Sequence, residues 1–97
     1  MRVFKYEIPV ADESFVRLPL GAQILSVGQQ NDQMFLWALV NPDEQRTERR
    51  NLRVAGTGHE LTEVKELKFI GTVHIYGALV FHVFERASLI GDTYEPL

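Results

Sequence analysis

Lys68-Phe69-Ile70-Gly71-Thr72-Val73-His74-Ile75-Tyr76-Gly77-Ala78-Leu79-Val80-Phe81-His82-Val83-Phe84-Glu85-Arg86 is the stretch that decides the fold. β-Branched and aromatic residues dominate 68–76 and 78–86, and Tyr76-Gly77 is a natural hinge, so the stretch predicts a closing β-hairpin. In its second arm Leu79, Phe81 and Val83 fall on one face and Val80, His82 and Phe84 on the other, because successive strand residues point to opposite sides. A strand that is apolar on both sides belongs in the middle of a sheet.

The same pattern recurs upstream. Met34 to Val40 places Met34, Leu36, Ala38 and Val40 on one face and Phe35, Trp37 and Leu39 on the other. Gln23 to Gly28 precedes it across the polar loop Gln29-Gln30-Asn31-Asp32, which predicts a second hairpin closed by Asn41-Pro42-Asp43. Arg2 to Val10 reads as an edge strand stopped by Pro9, and Phe15 to Leu18 as a brief strand broken by Pro19 and Gly21. Arg49 to Ala55 supplies a fifth strand, with Leu52 and Val54 able to point inward beside Arg50 and with Arg46 in the preceding loop. Leu61 to Leu67 has the spacing of one or two helical turns.

Two strands that need cover on both faces, in a chain with almost no helix, leave two solutions: a two-layer arrangement, or a sheet covered by another subunit. The expected architecture is mainly β: a compact antiparallel β-sandwich or half-barrel of about six to seven strands with at most one short helix. Residues 1–97 form one domain in this reading, with 87–97 a tail able to dock on a partner subunit. A symmetric homo-oligomer is the expected assembly.

Composition narrows the function. A chain of 97 residues that is 45% hydrophobic can bury a core without metal or disulfide staples. The formal charge of −3 does not steer it to nucleic acid, and any phosphate site must be local. The absence of cysteine removes a thiol nucleophile and a thiolate metal site and fits a reducing compartment. Lys5 and Glu7 interrupt any apolar leader, and no run approaches a membrane span, so neither export by that route nor a membrane location is expected.

No catalytic constellation stands out. Ser14, Ser26 and Ser88 lack an elbow-like glycine context, and Asp12-Glu13 and Glu60/Glu63 read as solvated turn charges. His59, His74 and His82 have no metal-ligand spacing, and His74 and His82 near each other across the last hairpin read as sheet-filling residues with satisfied ring nitrogens. The most suggestive cluster is Arg46, Arg49, Arg50 and Arg53 followed by Gly56-Thr57-Gly58-His59. Guanidinium forks bind phosphate oxygens, and a glycine-bearing turn can present N–H groups to an anion. Alternation puts Arg49 and Arg53 on one face and Arg50 on the other, so at most a subset converges, and ordinary surface charge is the plainer reading of the same residues. Trp37 can stack on a base or serve as core.

Phe4-Lys5-Tyr6-Glu7-Ile8-Pro9, Pro19 to Val27, Trp37-Ala38-Leu39-Val40, Gly56-Thr57-Gly58-His59, Phe69-Ile70-Gly71-Thr72 and Leu79 to Glu85 together resemble a family of small bacteriophage proteins of uncharacterised function. The resemblance covers residues 2 to 86. It implies a phage accessory protein in a bacterial host cytoplasm, with no activity that transfers residue by residue. By analogy, such a protein counters host defence, either by holding a nucleotide immune signal or by gripping a host protein. The function expected first is a non-enzymatic homo-oligomer that sequesters a nucleotide signal without cleaving it, without cofactor or metal. Its ligand-binding set is Arg49, Arg50, Arg53, Thr57, Gly58, His59 and Trp37. The alternative is a protein–protein inhibitor of a host defence or regulatory protein, and a plainer one is a virion or replication scaffold.

Overall fold

The computed structural model describes residues 1–87 and 95–96. The chain runs β1 (Arg2–Ile8), β2 (Glu13–Pro19), β3 (Gln23–Gln30), β4 (Gln33–Val40), β5 (Arg46–Gly56), a 3-10 turn (Val64–Glu66), β6 (Leu67–Ile75), β7 (Leu79–Arg86) and the two-residue β8 (Glu95–Pro96). These strands form two antiparallel sheets. One has the order β1-β4-β3, the other β2-β5-β7-β6, with β8 pairing the first residues of β5. Most of the expected docking tail, 88–94 and 97, lies outside the described residues.

The strands expected to be central are central: β4 lies between β1 and β3, and β7 between β5 and β6. β1 is an edge strand, as the Pro9 stop implies. β5 is longer than expected and takes in Arg46, because β2 pairs with it from Thr47 onward and Leu20 N–H donates to the Arg46 carbonyl at 2.9 Å. The helical turns expected over 61–67 contract to one 3-10 turn. Glu63 has a left-handed φ of 54°, and the turn is closed by a Glu66 N–H to Glu63 carbonyl bond of 2.9 Å and by the Leu67 N–H donating to the Val64 carbonyl.

The β3–β4 loop is shorter than the polar run suggests, because Gln29 and Gln30 stay paired with Met34 and Gln33. Only Asn31 and Asp32 turn, both at positive φ (52° and 60°), the backbone that a two-residue hairpin loop of matching twist requires. The Asp32 carboxylate then accepts from the Tyr76 N–H at 2.9 Å, tying this hairpin tip to the tip of the β6–β7 hairpin in the other sheet.

Alternation places Met34, Leu36, Ala38 and Val40 of β4 inward, where each is buried against Leu18, Leu52, Val54, Val73, Ile75 and Val83. Burying a Leu- or Val-sized side chain is worth about 1.5–3 kcal/mol, so this shared layer is the main stabilising term. The two sheets meet along β3 and β6, where Gly71 leaves room for Val27: a Cβ at 71 would stand 2.9 Å from Val27 Cγ2. Each seam strand carries a bulge, at Leu25 and at Ile70. The opposite side, between β1 and β2, has no ladder pairing.

The described residues cover the inner faces only. On the outer face of the smaller sheet Phe35, Trp37 and Leu39 are half-buried by their own neighbours. The Trp37 ring lies over Gly28, Phe35 and Trp37 sit 6.3 Å apart, and Lys5 Nζ stands 4.6 Å above Phe35.

Candidate functional site

β5 carries the charged run, and its period of two sorts the arginines. Arg49 and Arg53 lie on the outer face with Asn51. Arg50 points inward at the end of the sandwich, beyond the apolar stretch of Leu52 and Val54. There its guanidinium meets Glu85, which β7 presents on the same face, and Arg50 NH2 donates to Glu85 Oε1 at 3.1 Å while NH1 donates to the Ala22 carbonyl at 2.7 Å. The hydrogen bonds that Arg50 donates to Glu85 hold its pKa above its ordinary value despite the opposing cost of burial.

Arg53 is committed elsewhere. Its NH1 donates to the Asp12 carbonyl at 3.1 Å and stands 3.7 Å from the Asp12 carboxylate. Arg49 is exposed and its guanidinium lies 3.9 Å above the Phe15 ring, with Nε donating to Asn51 Oδ1 at 3.2 Å. Arg46 pairs with Glu44 at 2.7 Å, and that hydrogen bond lowers the Glu44 pKa.

The Gly56–His59 turn sits at the far end of β5 from Arg49. At about 3.3 Å per residue the separation is roughly 25 Å, so the two do not share a pocket. The turn closes on itself through a His59 N–H to Gly56 carbonyl bond of 3.1 Å, with Gly58 at φ 87° and the His59 ring packed on Gly56. Thr57 Oγ1 stands 2.7 Å from His82 Nε2, and Thr72 Oγ1 lies 3.0 Å from His82 Nδ1. Both nitrogens of His82 are therefore engaged within the sheet. His74 lies on the same face, opposite Val80, two pairs along from Thr72 and His82. Trp37 is on the outer face of the other sheet and joins neither group.

What the structure does bring together is Arg49, Arg50 and Arg86. All three line a cleft of about 340 Å³ that wraps the end of β5, with Gly21, Ala22, Asn51 and the carboxylates of Glu48 and Glu85. Glu48 is already occupied by the Gly21 N–H at 2.7 Å. A second cleft of about 450 Å³ shares Arg49, Asn51 and Arg86 and adds Phe15, Pro9 and Glu13. A third of about 410 Å³ shares Ala22, Arg50 and Glu85 and runs between the bulged segments of β3 and β6, past Lys68. Arg86 is held by Glu13 at 2.7 Å, Glu63 at 3.0 Å and Glu66 at 3.2 Å. Burial opposes its charge, but these carboxylates together raise its pKa.

Reading the sequence missed Arg86, Glu85, Lys68 and Phe15 as members of the site. The signal for Arg86 was present only as an arginine closing a central strand, which nothing links to β5 until the two strands pair. Among the described residues no three His, Asp or Glu side chains are grouped so as to hold a metal ion, and no helix is long and apolar enough to cross a membrane.

Fold and cleft together define a mainly β, two-sheet protein with a guanidinium-lined depression at one end of the layers. Residues 1–91 match the family described as "Domain of unknown function (DUF7352)", and the chain belongs to that family. No curated protein and no solved structure matches it.

Proposed function

We propose that the protein is a non-catalytic binding protein that captures a small anionic ligand, of nucleotide type, at the end of β5. The observation that carries this reading is the meeting of Arg49, Arg50 and Arg86 at one cleft, where Arg50 is paired with Glu85, Arg86 with Glu13, Glu63 and Glu66, and Arg49 is exposed over Phe15. Guanidinium groups suit phosphate oxygens through paired N–H donors. The adjoining cleft is lined by Phe15 and Asn51, an aromatic and an amide residue of the kinds that contact a base and its edge. Both volumes are of the size of small-ligand sites, which run from about 300 Å³ upward.

Arg53, Thr57, Gly58, His59 and Trp37 have no part in this site. With the resemblance to small bacteriophage proteins, the biological reading is sequestration of a nucleotide immune signal by a homo-oligomer in a bacterial host, the ligand being held and not cleaved. The test is binding of mono-, di- and cyclic nucleotides by calorimetry, followed by heat release and chromatography of the ligand. Recovery of unmodified nucleotide supports the reading. Conversion of the ligand moves the protein to the enzymes, and the absence of binding removes the proposal.

A second reading, inhibition of a host protein, is favoured by one observation: Phe35, Trp37, Leu39 and the exposed Val3 and Leu25 form an apolar outer face on the smaller sheet. A protein retained from host lysate and released by Trp37→Ala, with nucleotides having no effect, supports that reading over the first.

A further inference from the structure

The free edge of β1 is shaped to pair with itself. Among the described residues β1 is bonded on one side only, to β4, through seven consecutive residue pairs with no bulge, and Pro9 falls after its last residue. The other side therefore offers an uninterrupted row of backbone donors and acceptors, the kind of edge that soluble proteins ordinarily block or use. The inner face of the strand is buried at Ile8, 2% exposed, but opens to 41% at Phe4, so the apolar layer is uncovered toward the beginning of the strand.

We infer that two copies of the chain pair antiparallel through β1, with Tyr6 opposite Tyr6 of the second copy on the two-fold axis. The register follows from charge and face. Side chains of one face stay together only if the paired residue numbers have the same parity. Centring on Lys5 sets lysine against lysine, and centring on Glu7 sets glutamate against glutamate, each unfavourable directly across a ladder. Centring on Tyr6 sets Lys5 opposite Glu7 in both directions, giving two opposite-charge pairs on the outer face. On the inner face it sets Phe4 opposite Ile8 twice, so the exposed ring of one copy meets the closed end of the other.

The Glu7 carboxylate makes no hydrogen bond or ion pair among the described residues, whereas Lys5 donates to Gln30 at 2.7 Å within the protomer and is shared or redirected on pairing. The other free edge, β2, spends its charge internally: Glu13 is bound by Arg86 at 2.7 Å, and Arg17 stands 5.8 Å from the Phe15 ring of its own strand. Pairing through β1 builds a continuous sheet of the order β3-β4-β1-β1-β4-β3 and joins the outer apolar faces of Phe35, Trp37, Leu39 and Val3 across the axis. This inference rests on the oligomeric part of the proposed function and is independent of the ligand.

The experiment is light scattering of the full chain over a concentration series, with Lys5→Glu, Glu7→Lys and the double variant. The wild type is expected to be a dimer. Each single reversal places like charges opposite one another twice and is expected to raise the dissociation constant about tenfold, and the double variant to restore it. Circular dichroism confirms that the variants fold, and Glu7→Lys carries the test because it breaks no bond within the protomer. Since the chain has no cysteine, Tyr6→Cys adds a register readout: it is expected to form a disulfide-linked dimer under mild oxidation, and Phe4→Cys is not. A monomer at all concentrations overturns both this interface and the oligomeric reading. A dimer indifferent to the charge reversals, or cross-linking by Phe4→Cys in place of Tyr6→Cys, overturns the interface and leaves the oligomeric reading standing.

Discussion

Arg50 and Glu85, from neighbouring strands, form a two-point ion pair at the end of the sandwich, and the same guanidinium reaches across to the Ala22 carbonyl ahead of β3. One side chain thus joins β5, β7 and the approach to β3. Removing one member leaves the other partly buried without its partner. Arg50→Ala and Glu85→Ala are each expected to cost about 2–3 kcal/mol, below the 3–5 kcal/mol of a fully buried pair because both groups keep some contact with water. Arg50→Met with Glu85→Leu is expected to recover most of that loss, and urea denaturation of the four proteins checks it.

The seam between the sheets gives a prediction that depends on a single contact. A Cβ at residue 71 would stand 2.9 Å from Val27 Cγ2, and a β-branched side chain has little freedom to move aside. Gly71→Ala is expected to destabilise the protein by about 1–3 kcal/mol, and Val27→Ala in the same chain to restore part of it, which independent effects would not do. Thermal melts of the two single variants and the double variant decide the matter.

Asp32 joins the two hairpin tips through its carboxylate while holding a φ of 60°. Asp32→Ala loses the bond to the Tyr76 N–H and keeps the unfavourable backbone, and is expected to cost about 1–2 kcal/mol. Asp32→Asn retains the accepting oxygen and tolerates the left-handed region, so its expected change is within about 0.5 kcal/mol of wild type. Amide exchange at Tyr76 should quicken in the alanine variant alone.

Burial pushes the Tyr6 phenol above its ordinary value of 10.0. Folding therefore favours the neutral form, and the resulting stability is complete below pH 10 and is lost as the pH rises through the folded-state value. Ultraviolet titration should find one of the tyrosines ionising late, and Tyr6→Phe should remove that late step and flatten the fall of stability on the alkaline side.

The sequence was most legible where one side chain's neighbours determine its place. The alternation of Met34 to Val40 sorts its residues into the two rows found, but the cover expected on both faces is full only over Met34, Leu36, Ala38 and Val40; the apolar character of Leu79 to Phe84 predicts that β7 is central. The separation of Arg50 from Arg49 and Arg53 is likewise a consequence of strand period alone. The cleft was only half legible, because it forms where β7 ends against the middle of β5 and Arg86 arrives there through pairing that no local pattern encodes. Sequence proximity also misled: Arg49 and Thr57 are near in number but stand at opposite ends of an extended strand. Trp37 reads first as core and only second as a stacking residue, and the packing of its ring on Gly28 in the other layer removes it from the arginine site.

A thermal-shift titration of the full chain with nucleotides and inorganic phosphate, run beside Arg49→Ala, bears most directly on the function. Arg49 is exposed and its loss leaves the core intact, so the unliganded variant should melt within a few degrees of wild type. A nucleotide at about 100 times its dissociation constant should raise the wild-type melting point by roughly 10 °C or more and the variant by far less. No shift with any nucleotide, or a shift that Arg49→Ala leaves unchanged, would contradict capture of an anionic ligand at the end of β5.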